Sequence, residues 1–211
     1  MKSSISILWI ALLVASLSAA DYRIKTVDVL PIETYPARIT LEGVTVAVDP
    51  YDTNEKSFTA FDVKKMNTQG YFPLHVIIKN ETRSFLKIRT LNVVLLTSSG
   101  QQLYSTPSTV VVDDVIGSGL TSRIPIVGSE DSSTSTRPGS PLSDFNGKEL
   151  TNRFLDPGTV SSGFLFFFTQ DPKTNPFAGS TLYIPKLEEE GTNKSLGPFF
   201  IPLGPALSPS E

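Results

Sequence analysis

The nine residues from Val160 to Phe168 constrain the fold more than any other part of the chain. Val160, Ser162, Phe164, Phe166 and Phe168 alternate on one side, and Leu165 and Phe167 make the other side apolar too. A period-two run of this kind is a strand. A strand that is apolar on both sides belongs in the middle of a sheet or under a second layer.

The rest of the chain repeats the period. Leu41, Val44, Val46 and Val48 lie in a β-branched run that stops at Asp49-Pro50. Phe72, Leu74, Val76 and Ile78 share one face of a strand, and His75, Ile77 and Lys79 form the other, wetter face. After the turn Asn80-Glu81-Thr82-Arg83-Ser84, a long strand is predicted over Phe85 to Leu96, with a change of phase near Arg89-Thr90. Further strands are predicted over Gln101–Tyr104, Leu120–Ile126, Leu182–Ile184 and Phe199–Leu203. Pro185, Pro198 and Pro202 place the last of these at sheet edges and ends. About eight short strands with little helix point to an antiparallel sandwich.

Two helical inserts are predicted. Thr106-Pro107 supplies a cap and a proline at the first helical position, and Val111/Val115 and Val112/Ile116 pair at i, i+4 before Gly117. The second insert runs from Ser143 to Leu155, with Ser143 as cap, Leu150 aligned with Phe154, and Asp156-Pro157-Gly158 as the stop. Residues 128–141, rich in Ser and Thr with two Gly and two Pro, read as a mobile surface loop open to proteolysis. Residues 204–211 read as a disordered Pro-rich tail.

The N-terminus carries an address. Lys2 precedes an apolar run from Ile5 to Leu17, and Ser18-Ala19-Ala20 suits a signal peptidase, so residues 1–20 read as a secretory leader cleaved after Ala20. That leaves one β-sandwich domain over 21–203, secreted or periplasmic. No membrane span is expected after cleavage, because a span needs about 20 apolar residues. The formal charge of −3 becomes −4 once Lys2 is removed, and Lys and Arg form no cluster. Nucleic acid is therefore not an expected partner. The absence of cysteine removes thiol nucleophiles, thiol redox centres, zinc–thiolate sites and lipidation of an N-terminal Cys.

Candidate chemistry is sparse. His75 is the sole histidine, no G-x-S-x-G elbow accompanies it, and a structural role is expected. Asp49-Pro50-Tyr51-Asp52-Thr53-Asn54-Glu55 concentrates oxygen donors of the kind calcium takes, but lacks EF-hand spacing, and turn chemistry alone explains its composition. Asp113-Asp114 is an acidic pair expected on a solvated face, and Glu188-Glu189-Glu190 is expected at the mouth of a hairpin. Phe164–Phe168 and Phe199-Phe200 read as core, which leaves Tyr71-Phe72-Pro73 as the candidate exposed aromatic patch. Asn80-Glu81-Thr82 and Asn193-Lys194-Ser195 match the glycosylation acceptor pattern. No catalytic, cofactor-binding or metal-binding residue is assigned, and no cofactor is expected.

Three stretches carry a resemblance. Tyr71 to Thr82 is similar to the apolar strand and N-x-T/S opening of exported immunoglobulin-like domains of bacteria. Leu95 to Tyr104 resembles their next hairpin, and Leu155 to Phe167 their late "PG…G-apolar" strand. The resemblance implies a non-enzymatic sandwich with no particular ligand. The Ser-rich loop and the helical insert depart from the minimal domain. The expected function is non-catalytic binding or structural interaction, with an envelope or extracellular protein as partner. The alternatives are an inhibitor of a secreted protease, presenting residues 128–141 or the Asp113 region, and a hydrolase working through paired carboxylates.

Overall fold

Proline, glycine and the alternation of apolar residues cut the chain into short elements. The computed structural model describes residues 22–90, 92–116, 139–151, 153–192 and 194–204. In chain order these form β1 (Ala37–Leu41), β2 (Val44–Pro50), α1 (Asn54–Ala60), β3 (Tyr71–Asn80), β4 (Leu86–Ile88), β5 (Val94–Leu96), β6 (Gln102–Tyr104) and α2 (Ser108–Ile116). They continue as α3 (Pro141–Lys148), β7 (Arg153–Leu155), β8 (Val160–Phe168), β9 (Thr181–Ile184), β10 (Leu187–Glu189), β11 (Ser195–Leu196) and β12 (Phe199–Pro202).

The strands build three four-stranded sheets: sheet A in the order β1-β2-β3-β8, sheet B in the order β11-β10-β4-β7, and sheet C in the order β12-β9-β5-β6. Every strand pairing among the described residues is antiparallel. The architecture is an all-β, sandwich-like fold with a few short helices. Among the described residues it divides the expected strands more finely, into twelve.

The principal core lies between sheet A and the layer formed by sheets B and C. Sheet A contributes Val44, Val46, Val48, Phe72, Leu74, Val76, Ile78, Leu165 and Phe167. Leu86, Ile88, Leu155, Leu187 and Leu196 meet them from sheet B, and Leu95, Leu182, Ile184, Phe199 and Ile201 from sheet C. The opposite face of sheet A is covered as well. Phe61, Met66, Val111, Val112, Val115 and Phe145 pack there on Tyr71, Phe164 and Phe166, while Ile32 and Tyr35 cover Ala47 and Ile77. Helices and the N-terminal segment thus form a third layer, which is why β8 is apolar on both sides.

This layer overturns two sequence expectations. The face bearing His75, Ile77 and Lys79 is not the wet side of β3: His75 is 3% exposed and Ile77 is fully buried. Tyr71, Phe72 and Pro73 are likewise buried rather than an exposed patch. The helical layer dries Tyr71, and Phe72, on the other face of β3, is buried in the principal core between the sheets.

Other boundaries move for local reasons. The run from Leu41 to Val48 is a tight hairpin: Glu42 and Gly43 both take positive φ, 51° and 81°, and Leu41 faces Val44. A two-residue loop with both residues in that region matches the twist of its strands. The strand expected over Phe85–Leu96 breaks at its phase change, and the pieces enter different sheets, β4 in B and β5 in C. The insert expected over 143–155 is a helix only from Pro141 to Lys148. Ser140, not Ser143, is its cap, and the Ser140 side chain accepts from the Ser143 N–H. Arg153–Leu155 is strand β7, so Leu150 is buried while Phe154 stands 51% exposed. The helix expected before Gly117 is α2, with Val111, Val112 and Val115 buried. The strand expected at Leu120–Ile126, the leader, residues 128–138 and residues 205–211 of the tail lie outside the described residues. No helix among the described residues is long and apolar enough to cross a membrane.

Candidate functional site

In sheet C, one cross-strand row points away from the core. Phe200 of β12 lies opposite Tyr183 of β9, Tyr183 opposite Val94 of β5, and Val94 opposite Tyr104 of β6. Strand alternation sends the next row, Ile201, Leu182, Leu95 and Leu103, inward to the principal core. Tyr104 is 59% exposed and Phe200 48%, whereas Val94 between them is buried. The row is therefore a shallow trough with aromatic shoulders. The Tyr183 and Phe200 rings lie 5.0 Å apart at 43°. Asn92, Leu96 and Gln102 complete the depression, and no charged side chain among the described residues lines it.

Sheet B shares that layer and shows a contrasting composition. Its outward row reads Ser195, Glu188, Lys87 and Phe154 across the four strands. Arg89 donates to Glu188 Oε2 from Nε at 3.1 Å and from Nη2 at 2.9 Å, and the Lys87 ammonium sits 5.6 Å from the Phe154 ring centre. Lys186, Glu189, Glu190 and Lys194 line the depression above this row. Glu188–Glu190 thus stand at the end of the β10–β11 hairpin, as expected, on a charged and ion-paired face. The uncharged aromatic trough of sheet C contrasts with it.

The acidic run Asp49–Glu55 is the end of β2 and the entry to α1. Asp49 accepts from Lys56 Nζ at 2.6 Å. Asp52 accepts from Asn175 Nδ2 at 3.0 Å. Thr53 caps α1, its hydroxyl accepting from the Lys56 N–H. Asn54 Oδ1 accepts from the N–H groups of Asn67 and Thr68 at 2.9 and 3.2 Å. These oxygens hold the chain to itself, and no three His, Asp or Glu among the described residues converge as a metal-binding group. Asp49 and Asp52 do line one groove, over Val48, Phe177 and Leu203.

His75 sits behind Asp49. Its ring stacks on Phe164 with centroids 4.6 Å apart, and the edge of Tyr51 approaches at 6.4 Å. Burial pushes its pKa down to about 4; the Asp49 carboxylate opposes this and the Lys56 ammonium adds to it. A neutral, stacked imidazole away from any open cleft packs the outer face of sheet A. Burial also raises the Tyr51 hydroxyl to about 12. Asp114 is exposed, as expected of a solvated face, and it accepts from the Tyr71 hydroxyl, which ties α2 to β3. The acceptor Asn80 is fully buried and hydrogen bonded within the fold. The second acceptor, Asn193, lies outside the described residues.

The sequence missed the row. Phe200 is not core, unlike Phe199, and the legible signal was its place between the inward Phe199 and Ile201. Phe168, at the end of β8, is likewise exposed rather than core. Tyr104 and Tyr183 carried no such signal, because their alignment depends on the register of four strands.

No family model matches the chain, and no curated protein does. Three solved structures of bacterial proteins are similar to the chain. The yjhA protein of Bacillus subtilis is 10% identical, with a TM-score of 0.37 over 71% of this chain and 78% of that one. The ycdA protein of Bacillus subtilis, described as a candidate lipoprotein, is 14% identical with a TM-score of 0.40, over 79% of this chain and 38% of that one. A functionally unknown protein of Listeria monocytogenes is 14% identical with a TM-score of 0.36, over 80% and 81%.

Proposed function

We propose that this chain is an exported, non-catalytic binding domain of immunoglobulin-like type, and that it meets an envelope or extracellular partner through the outward face of sheet C. One observation carries the reading. Two neighbouring sheets cover the same core, and one presents ion pairs to solvent while the other presents Phe200, Tyr183, Val94 and Tyr104 in register. Tyr104 and Phe200 each keep about half of their surface in water, which forgoes part of the roughly 1.5–3 kcal/mol that full burial of a large side chain is worth, so the face gains from a partner that covers it. The leader-like N-terminus supports a site of action outside the cytoplasm.

The test compares two variants in retention of host envelope and secreted material, read by protein mass spectrometry and by sugar analysis. Tyr104→Ala with Phe200→Ala should lose what the wild-type chain from Asp21 to Glu211 retains. Lys87→Ala with Glu188→Ala, on the charged sheet, should retain it. Equal retention by both variants would remove the assignment to sheet C.

A further inference from the structure

We infer that the occupant of the sheet C trough is a neutral glycan, a short stretch of uncharged sugar chain laid across the four strands. The inference rests on the reading of that face as the binding face, and it names the ligand class.

Size comes first. Three inter-strand gaps of about 4.8 Å make the row roughly 14 Å long, and strands of three or four residues make the face roughly 10–13 Å deep. The flat area is then about 150–200 Å², against about 800 Å² per partner in a standard protein interface. A second copy of this chain, or any globular partner, would have to draw most of its contact from outside the row. A narrow, elongated ligand matches the trough as it stands.

Charge and hydrogen-bonding capacity decide the class. Among the described residues no Lys, Arg, Asp or Glu lines the depression, so these residues offer nothing to pair with a phosphate, a uronate or an anionic headgroup. It does offer the carboxamides of Asn92 and Gln102 and the hydroxyls of Tyr104 and Tyr183, each able to donate and to accept. A neutral sugar ring has an apolar C–H face and a rim of hydroxyls. The C–H faces would lie on the Tyr104, Tyr183 and Phe200 rings, and the rim would meet the amides. The Tyr104 hydroxyl already lies 3.5 Å from Gln102 Oε1, so ring and amide sit within reach of one sugar unit.

The probes are neutral hexasaccharides: β-1,4-glucan, β-1,3-glucan, β-1,4-mannan and β-1,4-linked N-acetylglucosamine, with an anionic uronate hexamer as control. Each is titrated into the chain from Asp21 to Glu211, following the ring resonances of Tyr104, Tyr183 and Phe200 by NMR. At least one neutral oligomer should shift these three saturably, in the millimolar range or tighter, and the uronate should not. Tyr104→Ala should weaken that binding about tenfold with an unchanged melting temperature, and Tyr104→Phe should restore the stacking share. Absence of shifts with every neutral oligomer would overturn the glycan assignment, as would stronger binding of the uronate. If sheet C variants still lost their partner in the retention experiment, the binding face would stand and only its ligand class would fall. Equal retention there would remove both.

Discussion

His75 lies face to face with Phe164 on the adjacent strand, with ring centroids 4.6 Å apart and planes within 16°. Burial holds the imidazole neutral, with a pKa pushed down to about 4. In the unfolded chain the group titrates near 6.5. On acidification the unfolded state therefore takes up the proton first, and stability falls as pH drops. The contribution is complete above about pH 6.5, is lost between about 6.5 and 4, and changes no further below that, amounting to about 3 kcal/mol. Urea unfolding from about pH 7 down to about pH 4 should show this slope in the wild type, on top of carboxylate titration common to both proteins, and a shallower one in His75→Leu. Parallel slopes would mean that His75 is hydrated in solution.

Gly163 allows the segment after α3 to lie on β8. A Cβ built at this position would stand 2.7 Å from both the N and the Cα of Leu150, and the Leu150 N–H donates to the Phe164 carbonyl at 2.8 Å. Backbone atoms of a paired segment cannot swing aside as a flexible side chain can. Gly163→Ala should lower stability by about 1–3 kcal/mol, with the loss of amide-exchange protection centred on Leu150. An unchanged melting temperature would show that this pairing is not formed.

Asn80 works inside the fold. Its Nδ2 donates to the carbonyls of Ser84 and Leu155 at 2.8 and 3.1 Å, and its Oδ1 accepts from Thr82 N and Oγ1 at 3.0 and 2.6 Å. A sugar on Nδ2 would take one of the two N–H donors and would have to be housed at a fully buried site. Natively folded protein from a glycosylating host should carry no glycan at Asn80, as peptide mapping will show. Asn80→Ala should cost about 2–3 kcal/mol, because two carbonyls and an N–H lose their partner.

Asp144 anchors the N-terminal segment to α3. It accepts from the Tyr22 hydroxyl at 2.7 Å and from Lys148 Nζ, which also donates to the Ala60 carbonyl at 2.7 Å. Burial pushes the Lys148 pKa down, and Asp144 opposes that shift. Asp144→Ala would strand a largely buried ammonium and should cost about 3–5 kcal/mol. Asp144→Ala combined with Lys148→Met should be less damaging than Asp144→Ala alone. Additive losses in denaturant unfolding would show that the two are uncoupled.

Much of this architecture was legible in the residues. The double-sided apolarity of Val160–Phe168 announced a strand in the middle of a sheet or under a second layer, and β8 is the second kind: it stands at the end of sheet A and is covered on both faces. The phase change near Arg89-Thr90 marked the place where one expected strand becomes β4 and β5. It could not say that the pieces join different sheets, since that depends on which distant strands capture each piece. The alignment of Leu150 with Phe154 suggested a helix, yet the Leu150 N–H pairs with β8 instead. Over so short a stretch, a partner outside the segment overrides local spacing. The acidic run Asp49–Glu55 holds oxygen donors of the kind calcium takes but reads as a turn, and Asp49, Asp52 and Asn54 are fastened to Lys56, Asn175, Asn67 and Thr68.

The sequence by itself determined the period-two segments, the turn residues between them and hence an antiparallel β architecture with short helices. Those properties are local: alternation, capping and positive-φ glycines act within a few residues of one another. Only the tertiary structure decided which faces are dry. His75 is buried because Tyr51 and Phe164 close over it, and Phe200 is exposed although Phe199 beside it is core. A period of two says that the faces of a strand differ. What covers each face is set by segments a hundred residues away, and the trough from Phe200 to Tyr104 exists only because four strands hold one register.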